Sequence, residues 1–307
     1  MRAAILNAVG AIPEVGDFEA PAPRDGQVTI DVGVAGVNPV DLAMASGAMG
    51  SPQIPSVVGR EGVGTLPDGR RVYFSSPIAP QGSWAEQSLV DPDRVLPVPD
   101  GLEDDLAVCV GIAGLAAWLP LAHHARLEKG ESVLVLGGTG VVGQIAVQAA
   151  KLLGAGRVVA AGRDPSALQR ATQLGADATV VLGGGDDSQA LSSEAGEGFD
   201  VVIDPIYGPP FVAALGATAS GARLVSIGVG AGATAEISLG SLMGRSHIGH
   251  ANHLVAPHVQ ADAYATLTEH ARAGRIDVEI RRFTLDEAPS ARQAQADGPH
   301  QKLVIAP

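Results

Sequence analysis

The stretch Val133-Leu134-Val135-Leu136-Gly137-Gly138-Thr139-Gly140-Val141-Val142-Gly143 decides how this chain is read. Its first four residues, all valine or leucine, predict a short buried strand. A glycine turn follows, with Gly138, Gly140 and Gly143 at G-x-G-x-x-G spacing. A helical run then extends from Gln144 to Leu153, with Ile145, Ala146, Ala149 and Leu152 on one side. In a strand, turn and helix of this kind, the first glycine permits the tight turn. The second lets a pyrophosphate approach the backbone, and the third lets helix and strand pack closely. The helix N-terminus offers N–H groups and the positive end of its dipole to the phosphates, with Thr139 and Val142 in the same cradle.

Outward from this turn, strand-like runs recur at Arg157–Ala161, Ala178–Leu182, Asp200–Asp204, Arg223–Gly228 and His247–Gly249. Helical segments lie between them at Pro165–Leu174 and Pro209–Ala219, and Gly183–Asp187 reads as a solvated loop. Strands alternating with helices predict an α/β unit with a doubly wound parallel sheet, assigned to residues 113–250. Residues 1–112 read differently. Short β-like runs (Ala3–Leu6, Val28–Val37, Arg71–Phe74) are broken by prolines, which predicts an irregular β-rich unit with functional loops. Residues 251–307 are expected to complete that unit, ending in the strand Lys302–Ile305. The apolar run Leu106–Ala122 contains Gly111, Gly114 and Pro120 and reads as a buried junction helix, not a membrane span.

At 307 residues, two moderate domains with their own cores are expected. Hydrophobic residues make up 46% and charged ones 17%, so the chain is globular. A net charge of −13 argues against nucleic-acid and anionic-membrane partners. The single cysteine excludes an internal disulfide and fits a reducing, cytoplasmic setting. Met1–Leu6 is too short for a secretory signal.

A dinucleotide site selective for NAD carries an acid on the ribose about 20 residues past the glycines. Here the second strand ends at Gly162-Arg163. Glycine leaves room for a 2′-phosphate and an arginine fork can grip it, so NADPH is the expected cofactor. Asp164 is the competing acid, and Arg170 is a further cation that could help.

The layout resembles the medium-chain dehydrogenase/reductase superfamily, in its zinc-free quinone-oxidoreductase branch. The matching pieces are Gly36–Asp41 with Ser46-Gly47, Val58–Gly64, Ala113–Trp118, Gly137–Gly143, Phe199–Asp204, Gly221–Val225 and Lys302–Val304. The resemblance implies a Rossmann domain, a GroES-like β-rich substrate domain and a cleft between them. The metal positions of zinc-using relatives fall on Asn38, Arg60 and, nearby, Cys109. An amide, a guanidinium and one thiol do not make a tetrahedral zinc site, so no metal is expected. Cys109 reads as a core thiol. His247 and His250, three apart on a strand, would point to opposite faces and not share an ion.

The implied reaction is hydride transfer to a small-molecule acceptor that is already electron-poor, a quinone or an α,β-unsaturated carbonyl. Asn38 and Tyr207 are the expected catalytic residues. Asp41, Arg60, His250 and Asn252 are expected near the substrate. Asp41 could equally cap its helix, and Arg60 could pair with Glu61 as scaffold. Ile227, Gly228, Val229 and Asn252 resemble the segments that hold the nicotinamide carboxamide. His123 and His124 read as a solvated helix end. Relatives pair through the sixth strand, which implies a homodimer. The rival readings are a biosynthetic enoyl or ketone reductase with one narrow substrate, and a non-catalytic NADPH-binding protein.

Overall fold

The computed structural model describes residues 1–307. The chain forms two compact units. One comprises Met1–Ile112, Tyr264–Gly274 and Val278–Pro307; the other comprises Ala113–Ala263 and Arg275–Asp277. The sequence pattern puts the end of the second unit at His250. It runs on to Ala263, because the turn Asn252–Leu254 and the start of the helix Pro257–Arg272 stay with it.

The second unit is built on six strands: β1 (Ser132–Leu136), β2 (Arg157–Gly162), β3 (Ala178–Val181), β4 (Phe199–Asp204), β5 (Thr218–Ser226) and β6 (Ser246–Gly249). All pairs are parallel, in the order β3-β2-β1-β4-β5-β6. This is the Rossmann arrangement. The order reverses between β1 and β4, and the C-terminal ends of all six strands share one edge, where such sheets bind ligands. Helices α1 (Val141–Leu152), α2 (Pro165–Gln173), α3 (Asp187–Glu194) and α4 (Pro209–Leu215) make the connections. Val133 to Leu136 are 0% exposed, as expected for a central parallel strand covered on both faces.

Boundaries differ where local chemistry outweighs periodicity. α1 starts at Val141, not Gln144, because Gly140 already serves as its N-cap. α4 stops at Leu215, since β5 begins at Thr218. The Gly183–Asp187 loop leads straight into α3, whose N-cap Asp186 accepts the Gln189 N–H. The junction run is three pieces: Asp104–Cys109, Ile112–Leu119 and a π-turn Pro120–Ala125. It breaks at Gly111, where a Cβ would lie 2.2 Å from the Tyr73 ring.

The first unit is the β-rich, GroES-like one. Its main sheet runs Ile280–Thr284, Lys302–Ala306, Val28–Val37, Glu61–Thr65, Arg71–Ser75, Val95–Pro97, and Gln87–Val90 also pairs with Val28–Val37. Leu303 sits opposite Val37, and Ala35 opposite Gly62. That register brings Lys302, Asn38 and Glu61, far apart in sequence, to one place. No helix is long and apolar enough to cross a membrane.

Candidate functional site

The glycine turn leaves β1 at the ligand edge of the sheet. The left-handed residue is Gly137 (φ +59°), not Gly138 as the spacing suggests. Gly138 is bare because a Cβ there would lie 2.8 Å from the Ala160 Cβ on β2. A Cβ on Gly143 would lie 2.3 Å from the Gly137 oxygen, so the first turn of α1 presses directly on the loop. Gly140 differs. Nothing comes closer than 3.6 Å to its Cβ position, and it places no side chain on the N–H groups of α1. The mouth of the helix is therefore open to an anion.

At the end of β2, a Cβ on Gly162 would lie 2.8 Å from the Thr139 methyl. The room expected there for a phosphate is filled by Thr139. Arg163 is exposed. Asp164 caps α2: its Oδ1 accepts from the N–H groups of Ser166 and Ala167 and from the Ser166 hydroxyl. Arg170 does not stand beside Arg163 as a spare cation; it is paired with Asp277 at 2.8 Å.

Across the switch point, the ends of β4, β5 and β6 surround a pocket of about 350 Å³ lined by Tyr207, Ser226, Ile227–Val229, Ala233, His247, Gly249–Ala251 and Leu254. Asp204, fully buried, ends β4. Its Oδ1 accepts from the N–H groups of Ile206 (3.0 Å) and Tyr207 (2.7 Å). That turn holds Tyr207 at φ +54°, a left-handed conformation uncommon for a non-glycine residue. The Tyr207 ring lies against Phe211 and stacks on His247, with centroids 5.0 and 6.0 Å away. Asp204 Oδ2 accepts from the Ser226 hydroxyl at 2.8 Å, and Ser226 Oγ is 3.0 Å from His247 Nε2. Burial pushes the Asp204 carboxyl up and the His247 imidazole down. Sequence reasoning misses this array. Its three members come from three strands, and only the sheet register joins them.

His250 points elsewhere. It is 6% exposed, with Nδ1 at 3.0 Å from His124 Nε2 and Nε2 at 2.8 Å from Asn252 Oδ1. Burial pushes its imidazole down to about 4. His124 is thus a partner within the unit and not part of a solvated helix end.

In the first unit, Asn38 is 4% exposed, and its amide is engaged at both atoms. Nδ2 donates to Glu61 Oε1 (2.8 Å) and Oδ1 accepts from Lys302 Nζ (2.7 Å). Lys302 Nζ also meets Glu61 Oε1 at 2.7 Å, and Glu61 Oε2 accepts from the Tyr73 hydroxyl and the Ile112 N–H. Glu61 pairs with Lys302, not with Arg60 as expected; Arg60 donates to Ser76 Oγ. Asp41 accepts the Asn38 N–H at 2.7 Å, and burial pushes its carboxyl up to about 7. Cys109 is fully buried, donates to the Asp105 carbonyl, and has its thiol pushed up by burial.

These donors do not fit a zinc ion. The amide of Asn38 is engaged, the guanidinium of Arg60 cannot ligate, and Cys109 is held as a thiol. No group of three or more His, Cys, Asp or Glu side chains is arranged to hold a metal. The glycine turn, by contrast, fits a dinucleotide.

Fold and site together define a two-unit protein with a Rossmann nucleotide domain and a GroES-like domain. Comparison with known proteins agrees. The alcohol dehydrogenase GroES-like domain model matches residues 24–100, and the zinc-binding dehydrogenase model matches residues 141–274. Rat quinone oxidoreductase (Rattus norvegicus) is 30% identical over 224 residues, 69% of this chain and 67% of that protein. A phenolphthiocerol/phthiocerol polyketide synthase polypeptide of Mycobacterium tuberculosis is 29% identical over 302 residues. That match takes in 92% of this chain, which spans only 14% of the synthase polypeptide's length. The quinone oxidoreductase of Thermus thermophilus, solved also as its complex with NADPH, superposes with a TM-score of 0.83 at 30% identity, covering 100% of both chains. The chain belongs to the medium-chain dehydrogenase/reductase superfamily, in its quinone-oxidoreductase-like branch. It is an oxidoreductase-family protein, and the family binds a nicotinamide cofactor.

Proposed function

We propose that this chain is an NADPH-dependent reductase that passes a hydride to a quinone or an α,β-unsaturated carbonyl without zinc. One observation carries the reading. Asp164, the acid that could hold a ribose hydroxyl, is engaged as a helix cap, while the guanidinium beside it is exposed for a 2′-phosphate. Bound NADPH supplies the hydride. The chain holds the pyrophosphate on the N–H groups of Val141, Val142 and Gly143 and the carboxamide on the backbone of Ile227–Val229. What it contributes beyond binding is orientation and exclusion of water. With no ligand set to polarise a carbonyl, the acceptor must be activated itself.

In this reading Tyr207 is a wall of the nicotinamide end, and His250 with Asn252 forms its backing. Asn38 is scaffold, Asp41 is a helix cap, and Arg60 steadies the Ser76 turn. Leu239, Met243 and Leu254 are 79, 70 and 77% exposed, and β6 is an edge strand, which supports a homodimer through that edge. Light scattering on the eluting protein tests it.

The cofactor test is Arg163→Ala. Loss of a charge-assisted contact, about 1.5–3 kcal/mol, should cut the preference for NADPH over NADH by about 10- to 100-fold. The melting temperature should not move, because the side chain is exposed. An unchanged preference would sink the assignment. The acceptor test is NADPH oxidation against a panel of quinones and enones. The polyketide synthase likeness over 92% of the chain favours a second reading, a biosynthetic reductase with one narrow substrate. A stereospecific saturated product with quinones inert would decide for it. Tight NADPH binding with no hydride loss to any acceptor would make the chain a non-catalytic binding protein.

A further inference from the structure

Hydride transfer leaves an anion on the acceptor, and a proton must follow. We propose that His247, held by Ser226 and Asp204, is the acid that delivers this proton. The inference rests on the reductase reading above.

The geometry sets the roles. Asp204 Oδ1 is occupied by two backbone N–H groups, so only Oδ2 is left, and it takes the Ser226 hydroxyl at 2.8 Å. With its proton aimed at Asp204, Ser226 Oγ can only accept from His247, at 3.0 Å. The imidazole therefore carries its proton on Nε2, and Nδ1 is the nitrogen left for a ligand. His247 lines the pocket, against Phe211 and Tyr207 with ring centroids 4.6 and 6.0 Å away. A scaffold histidine would have both nitrogens engaged, as His250 has with His124 and Asn252.

The step balances. A hydride from the reduced nicotinamide forms a C–H bond at the β carbon of an enone, and the displaced electron pair becomes an enolate. The Nδ1–H bond of the imidazolium breaks as an O–H or C–H bond forms on the enolate. The ring is left neutral with Nε2–H still on Ser226, and one solvent proton per turnover restores Nδ1–H. Asp204 acts through Ser226 as a positioning residue: its negative charge favours the imidazolium against the burial that disfavours it. The titratable groups facing the ring are Asp204 from β4 and Tyr207 from the loop after it. From α4 the neighbour is Phe211, which carries no charge.

The experiment uses the full chain, with cyclohexenone and a benzoquinone as acceptors and NADPH as donor. His247→Phe keeps the aromatic stack and removes the proton. Its turnover on the enone should fall about 100-fold, the scale of one general acid, with NADPH affinity unchanged. The pH dependence of wild-type turnover should disappear, and added imidazole should restore His247→Gly. A second readout is independent of turnover. In side-chain ¹⁵N spectra, His247 should show the Nε2–H form in the wild type, and Ser226→Ala should disturb it. A wild type that binds NADPH but reduces neither acceptor overturns the reductase reading. A wild type that turns over while His247→Phe keeps its rate and pH profile overturns the proton donor alone. So does a His247 signal identical in wild type and Ser226→Ala.

Discussion

Glu61 and Asp204 are both carboxylates with no exposed surface, and their hydrogen-bond chains end in different places. Around Glu61 the chain closes on itself. Lys302 and Asn38 meet Oε1 and also meet each other, while Tyr73 and Ile112 occupy Oε2. Around Asp204 the chain opens. It passes through Ser226 and stops at His247, an exposed ring on a pocket wall. A closed buried network can only fix register and hold shape. An open one couples a buried charge to whatever enters the pocket, and leaves the interior less satisfied. In the first unit the buried carboxylate is thus spent within the structure, and in the second one buried carboxylate stands behind a pocket wall.

The largest effect should come from breaking the closed network. Lys302→Met leaves the Glu61 charge without its cation in a site where the two side chains are 2% and 0% exposed. The expected loss is about 3–5 kcal/mol of stability, read by urea unfolding. Adding Glu61→Gln should recover part of it. Ser226→Ala, in the open array, removes one hydrogen bond to a charged oxygen and should cost about 1.5–3 kcal/mol, less than the loss of a whole buried cation. If the serine variant is as destabilised as the lysine variant, the contrast between the two regions is wrong.

How much of this can be read from the sequence follows the same division. The glycine turn, the alternation of strands and helices and the β-rich first unit are local or periodic signals, and they are legible. The turn's details are not. Gly137 and not Gly138 takes the left-handed conformation, and Gly138 is bare for another reason, the Ala160 Cβ across a strand pair. Lys302 and Glu61 lie 241 residues apart, and nothing in either neighbourhood marks a buried pair. Arg60, adjacent to Glu61, looks the better partner, but it sits in the bend before the strand and reaches Ser76 instead. Asp204, Ser226 and His247 each read as ordinary strand residues until the sheet sets Ser226 opposite Asp204 and the His247 ring reaches the Ser226 hydroxyl from the next strand.

The next effect sharpens the comparison inside the nucleotide turn. Gly143→Ala forces a methyl to 2.3 Å from the Gly137 oxygen, a backbone atom that cannot step aside. It should cost about 1–3 kcal/mol and abolish NADPH binding together. Gly140→Ala meets nothing within 3.6 Å, so the melting temperature should hold while NADPH affinity falls. If both variants lose stability equally, the opening at Gly140 is not the ligand's.

The smallest effect probes the edge of the closed network. Asp41 accepts the Asn38 N–H through Oδ2, while its Oδ1 is buried with no partner. Burial is the chief cause of its raised carboxyl, at about 7; Glu61 adds to it, and the Asn38 N–H, Lys302 and Arg60 oppose it. The native state thus keeps a proton that the unfolded chain releases near pH 3.9. Protons bound in excess by the native state make its stability fall as pH rises, so this group's contribution is complete below about 4 and is lost on the way to about 7. Asp41→Asn cannot titrate and keeps an oxygen for the Asn38 N–H. Its stability relative to wild type should therefore improve as pH rises across that window and level off above it. Urea unfolding of both proteins at about pH 4 and about pH 7 measures this difference. A constant difference between the two would mean that the carboxyl ionises as freely as in the unfolded chain, and that water reaches Oδ1.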